Sequence, residues 1–166
     1  MIIVADTTPI NYFVLIGAID MLQELFGHVI IPQAVFDELQ HEKTPQEVKA
    51  WIDARPEWLE VRPASQSLFL PQKKLGDGEH EAITLAIELK ADAVLMDDRD
   101  GTKEARRHHI TVFGTLVLLD KAAERKLLDL PEAIARLAQT TFRFPPAEVV
   151  EEMIERDIKR KQARQE

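Results

Sequence analysis

Two short apolar runs, each ending in aspartate, limit what this chain can fold into more than any other feature. Ile2 to Ala5 is continuously apolar and stops at Asp6, and Ala93 to Met96 is the same and stops at Asp97-Asp98. Uninterrupted apolar runs of this length are expected for strands covered on both faces, the situation inside a parallel sheet flanked by helices. Thr7-Thr8-Pro9 after the first run reads as a helix entry, with a hydroxyl cap and a proline in the first turn. The strand therefore hands over directly to a helix, leaving its terminal carboxylate at the junction.

The rest of the chain keeps this alternation. Val29 to Ile31 predicts a second strand, and Pro32 opens a helix reaching about Leu39. Residues 45–54 read as helix, Trp58 to Val61 as strand, and residues 62–77, rich in Pro, Ser and Gln, as loop. Glu79 to Lys90 and Thr102 to His109 read as helices around the Ala93–Met96 strand. Ile110 to Phe113 is a further strand, and Gly114-Thr115 opens the helix after it. Strands alternating with helices predict an α/β fold, a three-layer α/β/α arrangement with a central parallel sheet of four or five strands.

After Pro145-Pro146, apolar residues recur at Val149, Val150, Met153, Ile154 and Ile158, opposite a charged face. This spacing predicts a C-terminal amphipathic helix over 145–166, following a body over 1–144. Such a helix can pack on the body, pair with a second copy, or bind a partner.

Bulk properties narrow the class. The 166 residues suffice for one domain with a sizeable core, and 45% apolar content fits a globular chain. No cysteine is present, which excludes disulfides, zinc–thiolate sites and thiol catalysis. The N-terminus lacks a basic region, and the longest apolar stretch, Tyr12 to Ile19, is interrupted by Gly17. A cytoplasmic protein without a membrane span is expected. A net charge of −8 argues against a passive nucleic-acid coat, whose affinity would come from basic surface. The basic residues that exist are local: Lys103, Arg106, Arg107, His108 and His109, then Lys159, Arg160, Lys161 and Arg164. Each run is either a solvated helix face or an RNA-facing patch.

The position of the acids carries most of the functional information. Asp6 and the Asp97-Asp98 pair fall at the carboxyl ends of their strands, where open parallel sheets bind ligands at the reversal of strand order. If those strands are neighbours, their acids share one crevice. Glu38 lies three and four residues after Val35 and Ala34, within the apolar stripe of its helix, while Asp37 shares the wet face with Gln33 and Gln40. An inward carboxylate is costly unless something pairs with it, so Glu38 is the candidate. Glu79 likewise shares a face with Ala82, Ile83, Ala86 and Ile87, with Glu81, on the more solvated side, as second choice.

Taken singly, each acid has an ordinary explanation as a cap, a turn residue or a solvated charge. Four acids on separate elements, all directed to one end of one sheet, are not explained that way. Two carboxylates about 5 Å apart repel by about 3 kcal/mol at an effective dielectric of 20. Four must take up protons or share a cation. All-oxygen ligation points to Mg²⁺ or Mn²⁺.

The pattern resembles the PIN-domain family, particularly its toxin-like (VapC-like) bacterial and archaeal branch. Asp6-Thr7-Thr8-Pro9-Ile10-Asn11 resembles the family's opening motif, and Ile31-Pro32 through Glu38-Leu39 its second-acid helix. Gly78-Glu79-His80-Glu81-Ala82-Ile83 resembles the third-acid helix, and Val94-Leu95-Met96-Asp97-Asp98-Arg99-Asp100 the segment of the last acids. The resemblance implies a metal-dependent endoribonuclease hydrolysing RNA phosphodiester bonds. Asp6, Glu38, Glu79 and Asp98 would hold Mg²⁺ or Mn²⁺, with Asp97 or Asp100 assisting. Thr8 would hydrogen-bond the metal-bound groups, and Thr115 would line the same crevice. It also implies a toxin blocked by an antitoxin protein, and a homodimer.

Other classes fit less well. A haloacid-dehalogenase-like phosphatase needs a second Asp two residues after the first, where Thr8 stands. A receiver domain needs paired acids after the first strand, and Ala5-Asp6 supplies one. No glycine-rich phosphate loop is present. A calcium loop through Asp98 and Asp100 has Met96 in place of its first acid and Arg107 in place of its closing Glu. The serious alternative is a PIN-like module that binds RNA or protein without cutting.

Overall fold

The computed structural model describes residues 1–165, so Glu166, the last residue of the expected C-terminal segment, lies outside the described residues. The chain forms two compact units, Met1–Thr115 and Leu116–Glu166.

The first unit is built on a five-stranded sheet. Its strands are β1 (Ile3–Ala5), β2 (Val29–Pro32), β3 (Leu59–Arg62), β4 (Ala93–Leu95) and β5 (Val112–Phe113), in spatial order β3-β2-β1-β4-β5. Every pairing is parallel. Residues of β1, β2 and β4 are buried throughout, as their continuous apolar runs require. The flanking helices are α1 (Thr7–Leu15), α2 (Met21–Phe26), α3 (Gln33–Leu39), α4 (Gln46–Asp53), α5 (Asp77–Leu89) and α6 (Arg99–Arg107). The expected three-layer α/β/α architecture with its parallel sheet is thus the observed one.

Register decides where the site lies. Ile3, Val4 and Ala5 of β1 face Ala93, Val94 and Leu95 of β4, and the Asp6 N–H donates to the Leu95 carbonyl at 2.9 Å. The strand order reverses between β1 and β4, so Asp6 and Asp97-Asp98 leave the sheet side by side at the switch point. Behind this edge, Val4, Ile30, Val94, Met96, Ala82, Ile83, Leu85 and Ala105 form one buried cluster that fixes α5 and α6 against the strands.

Within the second unit, α7 (Thr115–Glu124), α8 (Leu130–Leu137) and α9 (Ala147–Gln165) follow one another. The expected C-terminal helix is α9. Its apolar stripe is used only in part: Met153 is buried, whereas Val149 and Ile158 stay exposed. Ion pairs complete the docking. Arg160 reaches Asp120 at 2.7 Å and Asp157 at 3.0 Å, and Lys161 reaches Asp129 at 2.8 Å. Arg164 donates to the Glu124 carbonyl. The second basic run is therefore largely spent on holding its own helix. In the first run, Arg107 and His108 are drawn onto Glu104. Among the described residues, no helix is long and apolar enough to cross a membrane.

Candidate active site

Asp6 stands at the N-cap position of α1, where a short acidic side chain ordinarily satisfies a free helix amide. Its side chain makes no such capping bond. The residue is 1% exposed, and its Oδ1 is buried with no hydrogen-bond partner. A carboxylate oxygen in that condition is costly and calls for a cation or a proton. Burial pushes the Asp6 carboxyl well above its usual range, and the negative charges of Glu79, Glu38 and Asp98 push the same way. Three acids from three other elements therefore act on Asp6 at close quarters.

Glu38 is held from both sides. Thr7 Oγ1 donates to Glu38 Oε2, and the Gly78 N–H donates to Oε1 at 2.9 Å. Gly78 is the second residue of α5, whose amides have no intrahelical acceptor and are free for such a bond. A side chain at 78 would push Glu38 aside: a Cβ there would lie 2.7 Å from both Glu38 oxygens. Asp37, on the opposite face, is exposed and accepts from Gln33 at 3.0 Å.

Glu79 is the third residue of α5, and the backbone amides of Glu79 itself and Gly76 draw its carboxylate back over the helix start. Burial raises its pKa, and the charges of Asp98 and Glu38 add to this. Glu81 points elsewhere. Its Oε2 accepts the Ala34 N–H at 2.7 Å and so caps α3.

Asp98 serves as the N-cap of α6, accepting from the Gly101 N–H at 2.7 Å through Oδ2. A Cβ at Gly101 would stand 3.3 Å from both Asp98 Oδ2 and Glu79 Cγ, so these two acidic side chains converge over that glycine. The helix starts at Arg99, ahead of the expected Thr102, because this cap recruits the intervening turn.

The remaining candidates go to other tasks. Asp97 accepts from the Thr115 N–H at 2.8 Å and from the Thr115 hydroxyl, tying the end of β4 to the chain two residues beyond β5. Burial raises its pKa while Thr115 lowers it in part. Asp100 lies 3.6 Å from Lys73. Thr8 is half-buried, and the hydroxyl that meets an acid is that of Thr7. Thr7, Gly78 and Gly101 were not singled out from the sequence. Two adjacent hydroxyls after Asp6 gave no basis for choosing between them, while the glycines stand where two acids need backbone access.

Cations of this unit pair with other acids: His28 and Arg62 with Glu60, Lys73 with Asp100, Arg107 and His108 with Glu104. Among the described residues, no ion pair neutralises Asp6, Glu38, Glu79 or Asp98. Nor are any three of the acidic or histidine side chains already gathered into a cation cage.

A family model described as PIN domain matches residues 2–158. The chain belongs to the PIN-domain family. None of the curated proteins matches it. Among solved structures it is similar to a PilT N-terminus domain protein, SSO1118, from the hyperthermophilic archaeon Sulfolobus solfataricus P2. Identity is 16%, the TM-score is 0.49, and the match covers 87% of this chain and 100% of that one. PIN domains are generally nucleases and typically use divalent metals. In this PIN domain the donor set suits such an ion. The carboxylates of Asp6, Glu38, Glu79 and Asp98 are hard oxygen donors of the type such ions take, and Asp6 Oδ1 is buried without a hydrogen-bond partner.

Proposed function

We propose that this PIN domain is a metal-dependent endoribonuclease, with Asp6, Glu38, Glu79 and Asp98 as its Mg²⁺ or Mn²⁺ ligands. The observation that carries this reading is the buried, unpartnered Asp6 oxygen under the negative charge of three further acids. When bound, the ion supplies a polarised water and neutralises the phosphate under attack.

The chain's own residues do the positioning. The carboxyl end of the sheet fixes Asp6, since its backbone is bonded to Leu95 and its side chain is buried. Thr7 and Gly78 set the Glu38 plane, and the α5 start sets Glu79. Asp98 keeps one oxygen on Gly101 and has the other for the site. Asp97 and Thr115 act as a positioning pair beneath it, while Asp100 and Glu81 stand outside the ligand set.

The motif resemblance supports two finer statements within this reading: that the nuclease is the toxin of a toxin–antitoxin pair, and that it works as a homodimer. The exposed Val149 and Ile158 of α9 stand nine positions apart, on opposite flanks of the helix, and each is a separate apolar point for a second copy. Sedimentation of Val149→Glu/Ile158→Glu against the parent chain tests both points, and an unchanged dimer would exclude them.

The deciding experiment incubates the full chain with single-stranded RNA and the matching DNA in Mg²⁺ or Mn²⁺, with chelator controls. Endonucleolytic cutting of RNA that depends on the ion, and is lost in Asp6→Asn, is expected. RNA binding with no cutting of any substrate under either ion would replace the enzyme with a binding module.

A further inference from the structure

Between α3 and α5 lies a cleft of about 410 Å³ that the proposed chemistry does not use. Gln33 and Asp37 of α3 form one wall, Asp77 and His80 of α5 another, and Ser65 and Ser67 of the 63–76 loop close it. The same two helices carry Glu38 and Glu79, on other faces: Gln33 and Asp37 line the cleft, while Glu38 turns to Thr7 and Gly78. Its volume falls in the range of roughly 300–1,000 Å³ typical of small-molecule sites.

The loop wall is already in place. The Ser65 N–H donates to Glu88 at 2.8 Å, and the Ser67 hydroxyl lies 2.6 Å from His80 Nε2 and 2.7 Å from the Phe69 carbonyl. The Phe69 ring stacks on His80 at 4.7 Å between centroids and meets His108 at 4.8 Å on its other contact. With Phe69 on one face of His80 and Ser67 on its Nε2 edge, the imidazole can offer the cleft only its remaining face and edge. Flat imidazole surface of that kind is what an unstacked nucleobase packs on.

The polar lining then selects the ligand. No lysine or arginine lines the cleft, so a phosphate finds no counter-charge there. Asp77 and Asp37 present carboxylate acceptors, Asp37 having one oxygen already taken by Gln33. Glu81 is spent on the Ala34 amide. Acceptors at a base edge pair with exocyclic amino groups, which adenine, cytosine and guanine have and uracil lacks.

We infer that this cleft is a base-recognition subsite, taking one unpaired amino-bearing nucleobase of the RNA on the same two helices that carry Glu38 and Glu79. The inference rests on the ribonuclease reading for its substrate class, and on the cleft's own lining for its selectivity.

The test uses the full chain and fluorescent oligouridylates with a single A, C or G placed at successive positions. Binding is followed by anisotropy in Ca²⁺, with the oligonucleotide checked afterwards for integrity. One amino-bearing base at one position is expected to tighten binding about tenfold over the all-uridine strand, the discrimination of a good side-chain contact to a base edge. Asp77→Asn, which exchanges an acceptor for a donor, is expected to cut that preference to about threefold or less. Ser67→Ala, which loosens the His80 wall, is a second and independent variant. Base-independent binding by the parent chain, or a preference preserved in both variants, overturns the proposal. So does tighter binding of an arginine-containing peptide that competes without base dependence, which would assign the cleft to a protein partner. Cleavage of the same strands in Mg²⁺ separates the two readings. Cutting without base preference removes only the subsite, base preference without cutting removes only the nuclease, and neither binding nor cutting removes both.

Discussion

The Gly78 N–H donates to Glu38 Oε1 at 2.9 Å, across 40 positions of sequence, and so joins the start of α5 to the end of α3 at the acidic crevice. The bond exists because residue 78 lacks a side chain; a Cβ would press on both Glu38 oxygens. Placing Glu38 and Glu79 beside one another thus depends on a glycine as much as on the acids.

Gly78→Ala therefore separates function from folding. Alanine within a helix favours stability by about 0.5–1 kcal/mol over glycine, so the melting temperature should hold or rise. Displacing Glu38 by about 1 Å should lower RNA cleavage by about a hundredfold. Cleavage within twofold of the parent would show that Glu38 is not where it is needed.

The raised acids set a pH dependence for the cation-free protein. Asp6, Glu79 and Asp97 hold their protons more tightly folded than unfolded. Between the ordinary carboxylate range and those raised values the folded state binds more protons, so stability falls as pH rises through that window. Glu60, Glu104 and Asp129 are lowered and act on the acid side, losing their contribution as pH drops below the ordinary range. Chelator-treated protein should thus melt higher at mildly acidic pH than at pH 8, and Mg²⁺ or Mn²⁺ should remove most of the difference. Asp6→Asn should stabilise the cation-free chain by about 1 kcal/mol at pH 8. A destabilised Asp6→Asn with an unchanged pH profile would speak against a repulsive site.

Asp97 and Asp100 should behave unlike each other. Asp97→Ala leaves the buried Thr115 N–H and hydroxyl without their acceptor, which costs about 1–3 kcal/mol of stability. Asp100→Ala removes an exposed pair with Lys73, worth about 0–1 kcal/mol. Chemical denaturation measures both. Equal losses would mean that the Asp97–Thr115 contact is not the hold it is drawn to be.

Much of this arrangement was legible in the sequence, for physical reasons that differ by residue. β1 and β4 announce themselves because strands buried on both faces must be apolar throughout, and an aspartate after each apolar run marks where the strand ends. Helical periodicity separated Glu38 from Asp37, since one face of α3 must meet the core. It did not separate Glu79 from Glu81, because Thr84 and Leu85 on the Glu81 face, expected to be the more solvated, are as buried as Ala82 and Ile83. Contacts set by tertiary geometry were out of reach. Thr7, not Thr8, meets Glu38 because the turn of α1 points that hydroxyl at α3. Asp97 turns to Thr115 because β5 lies against β4, a pairing that adjacent aspartates do not reveal. The 63–76 loop is low in periodicity, so its anchoring by Phe69 between two histidines was invisible until α5 and α6 were placed.

Calorimetric titration of Mn²⁺ into the full chain and its single variants tests the shared-cation claim most directly. Asp6→Asn, Glu38→Gln, Glu79→Gln and Asp98→Asn should each weaken binding at least about tenfold, as loss of one charged ligand implies. Asp37→Asn, Glu81→Gln and Asp100→Asn should bind as the parent does. Parent-like affinity in all four of the first group, or no Mn²⁺ binding by the parent chain, would contradict a common cation site.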